Sequence, residues 1–278
     1  MTLNSANAGP ILPVEYGKLV SKPVEALSAA FLVGTQVNTS AHTYKVPILA
    51  SDVPAGAVAE GAEITPGDAV FTELNVTPAK FAGLSIVSRE VADDSNPSAS
   101  TEVGKSIARQ IAHSVDHALF NVMSAPNPAG LAALSGISEV DAPAAFTDLD
   151  PFHEAISLSE AAGGNITAWV ANPSTLLPLN QLKDAEGSAR NLLNAAPTEA
   201  GRSTILGRAV FASSHVPDGI VYGISGEDLQ IVVREGTRLD IDNSAYFSSD
   251  RVGVRGTMRV AFAVPVPATQ VRITQAAE

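Results

Sequence analysis

Apolar side chains recur every four positions at Val103, Ile107, Ile111, Val115 and Leu119, while Glu102, Lys105, Arg109, Gln110 and His113 hold much of the surface between them. That spacing predicts one long amphipathic helix over residues 98–123, the spine around which the rest of the chain is arranged. Ser98 or Ser100 is placed to cap it, and Glu102 sits where a helix N-terminus favours a carboxylate. Pro126 and Pro128 close it. At about 100° per residue, a four-residue step drifts by roughly 40°, so the stripe runs obliquely and its packing partner must cross at an angle.

On both sides of this helix the pattern changes. Tyr44–Leu49 reads as a strand, followed by a Gly- and Pro-rich excursion through Pro54, Gly56, Gly61, Pro66 and Gly67. The stretch 71–91 returns as strand, with Leu74 and Val76 alternating against Glu73 and Asn75. The expectation is a projecting two-stranded loop, marginal alone in water, that another layer of the chain or a neighbour must cover. Prolines at 10, 13 and 23 turn residues 1–40 into an arm, with a short helix expected over Val24–Val33. The arm packs along its own chain or reaches a neighbouring subunit.

After the spine, Asp150 and Pro151 are placed as cap and first-turn residue of a second helix, Pro151–Ala162, ended by Gly163 and Gly164. A buried strand at Ile166–Ala171 follows, and Asn172-Pro173 opens a short helical turn. Residues 183–204 read as a mobile surface loop, and Val210–Ala212, Ile220–Tyr222 and Leu229–Val233 as strands. This helix–strand alternation implies an α/β subdomain. Residues 250–273 read as one extended strand with Arg251, Arg255 and Arg259 on one face and Val252, Val254, Met258 and Val260 on the other. Two readings of the arginine row stand: a solvated face pairing local acids, or a face meeting acidic groups of a neighbour or phosphate inside a container.

Composition narrows the classes. With 278 residues, 45% apolar and 17% charged, the chain has material for a substantial core in one or two domains. No apolar run reaches the roughly 18 residues a bilayer span needs, so no membrane is expected as partner. The start MTLNSANAGP lacks a secretory pattern, and cytosolic synthesis and residence are expected. The absence of cysteine excludes disulfides, thiolate catalysis and cysteine-ligated metal. A net charge of −12 argues against a dedicated nucleic-acid binder, although local patches can differ.

Candidate chemistry is thin. His113 and His117 stand one turn apart with Asp116 nearby, but the metalloprotease pattern needs Glu directly after the first His, and Ser114 is there. The pair reads as an ordinary polar helix face. His42, His153 and His215 have no readable partners, and the sequons at Asn38, Asn75 and Asn165 read as chance. Phosphate-binding loops, dinucleotide fingerprints and nucleophile elbows are absent. No catalytic residue, metal or cofactor is assigned, and an enzyme is not expected.

The order of the segments carries a resemblance. ILPVEYGKLV stands in the arm, AVAEGAEITPGDAVFTELNVTPAKFAGLSIVSREVADDS in the projecting loop, DHALFNV at the spine's end and PAGL just after. LKDAEGSARNLL, ILGRAVFASSHVP and RVGVRGTMRVAFAVPVPATQVRI follow in order. Together, over nearly the whole chain, they resemble the major capsid protein of tailed bacteriophages, the HK97-like fold. The resemblance implies an α+β fold with an N-terminal arm (1–40), an extended β-hairpin loop or E-loop with its base strands (41–90), a peripheral domain (91–130 and 240–278) and an inserted α/β axial domain (131–239). It implies self-assembly as hexamers and pentamers into an icosahedral head enclosing a double-stranded DNA genome, in a virion assembled in the bacterial cytoplasm. E-loop contacts between subunits would fall at Val58, Glu60, Gly61, Glu63 and Ile64. The spine core would be Val103, Ile107, Ile111, Val115 and Leu119, and Arg251, Arg255 and Arg259 would be interfacial or interior. Partners implied are other copies, separate scaffolding, portal and cement proteins, and non-specific contact with packaged DNA.

Two departures matter. Some members cross-link neighbours through an E-loop lysine, an asparagine and a glutamate; here no lysine lies between Lys45 and Lys80, Thr257 holds the glutamate position, and the asparagine position falls near Asp250. Covalent cross-linking is therefore not expected. Some members also carry a scaffolding segment before the arm; here the arm follows Met1 almost at once, and a separate scaffold is expected. The alternatives are an encapsulin-like nanocompartment around protein cargo, a soluble α/β enzyme, and a tail-tube or adaptor protein.

Overall fold

The computed structural model describes residues 28–51, 53, 55–58, 61, 66–90, 99–183, 188, 191–193, 204–242 and 244–276. Residues 1–27 of the expected arm, with the start of the Val24–Val33 helix, and most of the 183–204 loop lie outside these residues; the rest of the expected arm holds a short helix, Ala29–Val33, and a strand, Thr35–Asn38, that pairs in parallel with Gln230–Val233. The described chain divides into two compact units. The first contains Lys80–Ser114 and Glu235–Arg259; the second contains Ala29–Ala79, Val115–Arg234 and Val260–Glu278.

The elements, in chain order, are α1 (Ala29–Val33), β1 (Thr35–Asn38), β2 (Tyr44–Ser51), β3 (Val70–Val76), β4 (Ala79–Ser88), α2 (Ala99–Phe120) and β5 (Ser138–Ala142). Then come α3 (Asp150–Ala161), β6 (Ala168–Ala171), α4 (Pro173–Gln181), β7 (Thr204–Ile205), β8 (Arg208–Ala212) and β9 (Ile220–Ile224). The chain closes with β10 (Gln230–Asp242), β11 (Arg251–Ala263) and β12 (Val271–Gln275). The spine expected over 98–123 is α2. The fold is mixed α+β.

In the first unit, β10, β11 and β4 are neighbours in that order, and α2 covers one face of them. Glycines let the helix approach. A Cβ at Gly256 on β11 would lie 2.5 Å from Ile107 Cγ2, and one at Gly83 on β4 would lie 3.0 Å from the same methyl. Conversely, a Cβ at Gly104 on the helix would lie 2.8 Å from Leu239 Cδ2 on β10. Ile107 sits in a socket without side chains, and Leu239 fills one on the helix. Ile107 and Ile111 are buried, whereas Val103 is half-buried.

The second unit holds a six-stranded sheet in the order β5-β12-β9-β6-β8-β7. β12 runs parallel to β5 and antiparallel to β9. Its core gathers Val140, Phe146, Phe152, Ile166, Trp169, Leu179 and Ile273. Phe152 stands edge-on to Trp169 at 5.0 Å, and the Trp169 Nε1–H donates to the Ile205 carbonyl at 3.1 Å, so the buried indole keeps its hydrogen bond. Val115 and Leu119, at the end of α2, are fully buried here.

Several expectations are corrected. Residues 250–273 are not one strand: β11 ends at Ala263, a 3₁₀ turn occupies Pro267–Thr269, and β12 joins the six-stranded sheet. Pro265 and Pro267 lack the amide hydrogen a ladder needs, and the strand breaks at them. β10 runs to Asp242, well past Val233. Asp150 does not cap α3: the helix starts at Asp150, and its amide donates to Asp148 Oδ1 at 3.1 Å. The turn opened by Asn172 is the nine-residue helix α4, capped as the Asn172 side chain accepts from the Ser174 amide at 3.1 Å.

Candidate assembly surfaces

Among the described residues, the β2–β3 ribbon is covered only at its base. Its register runs from Tyr44 opposite Val76 to Leu49 opposite Phe71, with an irregularity between Leu49 and Ser51. Near the base, Val46 is buried with Val232, Ala261 and Ala263, and Tyr44, Leu74 and Val76 pack around them. Beyond that cluster Leu49, Val70 and Phe71 are exposed, Phe71 at 68%. One ion pair, Lys45 Nζ to Glu73 Oε2 at 2.8 Å, bridges the strands in solvent and contributes little. Apolar side chains are left exposed at the open end of a ribbon that is marginal by itself. Of the loop residues singled out from the sequence, Val58 is exposed and Gly61 adopts a left-handed turn with φ of 80°. Glu60, Glu63 and Ile64 lie outside the described residues.

The face of the first unit's sheet turned away from α2 is the second surface. Because Gly83 points at Ile107, its neighbours Leu84 and Ile86 alternate outward or inward with it: Leu84 and Ile86 fall on the outer face, 61% and 44% exposed. On β11, Gly256 points at the helix, so Arg255, Thr257 and Arg259 share the outer face, as does Arg251. Arg255 Nη2 donates to Asp240 Oδ2 at 2.8 Å, and Arg238 Nε donates to Asp240 Oδ1 at 2.7 Å. The hydrogen bond from Arg255, against a smaller opposing effect of burial and with help from Arg238, holds the Asp240 carboxyl below the usual carboxylate range. Arg259 lies 3.4 Å from Glu235. Arg251 has no ion pair among the described residues. Two of the three arginines therefore pair local acids.

Asp116 has a role that spacing alone does not reveal. It is 3% exposed, and its carboxylate accepts the Ala29 amide at 2.9 Å and the Ala30 amide at 3.0 Å. It caps α1 from a distant part of the chain, satisfying two amides that a helix start leaves without partners. The signal available beforehand was an acid beside Val115 on the apolar side of the spine. His117, one residue on, is exposed and meets the His215 ring edge-on at 6.0 Å. Asn121 Nδ2 donates to the carbonyls of His117 at 3.1 Å and His215 at 2.7 Å. Among the described residues no group of three or more His, Cys, Asp or Glu is placed to hold a metal ion. No described helix is long and apolar enough to cross a membrane.

Among the described residues, the ribbon end exposes Leu49, Val70 and Phe71, and the outer sheet face exposes Leu84 and Ile86 beside its arginines. The phage capsid family model matches residues 13–272, and the chain belongs to that family. Solved structures share the fold. One from Microbacterium phage Oxtober96 superposes with a TM-score of 0.75 at 19% identity, covering 99% of this chain and 100% of that one. One from Mycobacterium phage Bobi gives 0.73 at 16% identity, covering 100% of each chain. The capsid of a native GTA particle gives 0.71 at 20% identity, covering 99% of this chain and 100% of that one. No curated protein matches the sequence. The chain is a major capsid protein, a structural component of a virion shell rather than an enzyme.

Proposed function

We propose that this protein assembles as hexamers and pentamers into the icosahedral head that encloses the double-stranded DNA genome of a tailed bacteriophage. The observation that carries the reading is the β2–β3 ribbon, anchored at its base and bare at its apolar end. In this reading the ribbon and its loop are the E-loop, which lies over an adjacent subunit. The spine and the long strands β10 and β11 form the peripheral domain, the inserted α/β region forms the axial domain at capsomer centres, and residues 1–40 form the N-terminal arm. Each subunit then buries a marginal ribbon in its neighbours, and many modest interfaces sum to a stable shell. Reinforcement is non-covalent, because Thr257 stands where cross-linking members carry the glutamate and the loop has no lysine.

Assembly takes place in the bacterial cytoplasm with scaffolding, portal and cement proteins as partners, and the interior makes only non-specific contact with DNA. The family match favours this reading over an encapsulin-like compartment. Deleting Val53–Asp68 tests it: folded subunits that no longer form shells are expected. Normal shells from the deletion would remove the ribbon from the mechanism. Electron cryo-microscopy of native particles decides the content, with double-stranded DNA expected and protein cargo pointing to the compartment.

A further inference from the structure

We propose that His117, on the last turn of α2, and His215, in the turn between β8 and β9, form a two-imidazole site for a transition-metal dication such as zinc. The ion clips the end of the spine to the six-stranded sheet. The two rings belong to the same unit, with centres 6.0 Å apart and planes inclined at 84°. A zinc–nitrogen bond of about 2.0–2.1 Å puts each ring centre roughly 3.2 Å from the ion, so two imidazoles on one zinc have centres about 4.5–6.3 Å apart. The observed separation falls inside that window, at its open end. A tetrahedral angle needs about 5 Å, a closure of roughly 1 Å that the exposed His117 ring makes by turning about its side-chain bonds. The steep angle between the planes is no obstacle, because turning a ring about its zinc–nitrogen bond leaves the lone pair on the ion.

The backbone under both rings is already fixed. Asn121 Nδ2 donates to the His117 carbonyl at 3.1 Å and to the His215 carbonyl at 2.7 Å, so one carboxamide holds the two ligand residues together. The 213–216 turn is tied to β6, as the Ser213 amide donates to the Ala171 carbonyl at 3.0 Å. It is tied to the α4 cap as well, since Asn172 Nδ2 donates to the Val216 carbonyl at 2.8 Å. An ion here meets ligands with little freedom left to lose. His117 is exposed and His215 half-buried, so solvent reaches the pair and water supplies the remaining coordination positions. Asp116 is not a third ligand, since both its oxygens already accept amides of α1. Imidazole nitrogens suit zinc, copper or nickel, whereas calcium and magnesium take oxygen. With only two protein ligands the ion exchanges with solution, unlike a closed four-ligand structural centre.

Untagged full-length subunits, stripped with chelator, are titrated with zinc chloride in a calorimeter. One ion per chain is expected, with affinity lower by about tenfold or more in His117→Ala and in His215→Ala. His113→Ala, which removes the other imidazole of the helix face, should bind as the wild type does. With zinc about tenfold above Kd, the wild type should unfold about 2–4 °C higher, and neither site variant should respond. Hydrogen exchange should slow over residues 117–121 and 213–216. His117 is exposed, so its replacement spares the fold even where that of half-buried His215 does not. No zinc binding by the wild type, or wild-type affinity in His117→Ala, would overturn the proposal. So would a loss on His113→Ala with none on His215→Ala, which would assign zinc to the helix face alone. Either result leaves the shell reading in place.

Discussion

Gly256→Ala is a single methyl added where the spine helix meets the sheet. The new Cβ would lie 2.5 Å from Ile107 Cγ2 and 3.3 Å from Ile111 Cδ1. Carbon atoms in contact sit about 3.5–4 Å apart, so helix and strand must separate by roughly 1 Å. Overpacking of this kind costs about 1–3 kcal/mol. Replacing a strand glycine stiffens the unfolded chain and returns about 0.5–1 kcal/mol. The net expectation is a loss of about 1–2 kcal/mol. Gly236→Ala on β10 isolates the second effect, because nothing lies within 4 Å of its added Cβ; it should be neutral or slightly stabilising. Ile107→Ala in the Gly256→Ala background removes the colliding methyl, so the double variant should be less destabilised than the sum of the singles by about 1 kcal/mol or more. Urea unfolding of unassembled subunits, followed by far-UV circular dichroism, measures the wild type, the three single variants and the double variant. Hydrogen exchange over residues 102–114 and 251–259 locates the loss. Gly256→Ala at or above wild-type stability, or strict additivity with Ile107→Ala, would refute the close-approach account.

Three further outcomes are expected. Ile111→Asp buries an unpaired carboxylate beneath the spine and should cost several kcal/mol, on the order of 3–5, giving insoluble subunits; a soluble, normally folded product would show that this position is not core. Asp116→Ala leaves the buried amides of Ala29 and Ala30 unsatisfied and should cost about 2–5 kcal/mol, with Asp116→Asn milder; the fluorescence of Trp169, the sole tryptophan, reports unfolding of the same unit, and a loss below 1 kcal/mol would exclude the capping role. Asp240 has a lowered carboxyl pKa when folded, so its pairing with Arg255 and Arg238 stabilises above the ordinary carboxylate value and is lost as pH falls through the lowered one. Asp240→Asn should flatten the acid limb of the stability profile below about pH 4 by less than 1 kcal/mol, given the exposure of both arginines, and an unchanged slope would count against the pairing.

How much of this was legible depends on whether the signal is local. A four-residue apolar step commits a segment to a helix whatever surrounds it, and the spine is where the periodicity puts it. Alternation likewise set Val252, Val254, Met258 and Val260 opposite Arg251, Arg255 and Arg259 before any neighbour was known. Ordered segments along the chain, each unremarkable alone, carried the family.

β4 shows the limit. In AKFAGLSIVS the larger aliphatics Leu84 and Ile86 are exposed, and the helix lies on the side of Phe81 and Gly83. Glycine has no hydrophobic signal; its use here is the space it leaves for Ile107, which exists only once α2 crosses the sheet. Asp116 is similar, since a buried acid in a helix is a fault until two amides from α1 reach it. The proline break after Ala263 was written in the chain, but the destination of β12, between β5 and β9, was not. Local sequence sets period, caps and breaks because these depend on neighbours a few residues away. Which face is buried, which acid is satisfied and which strands pair depend on residues far apart in the chain, and only their packing decides them.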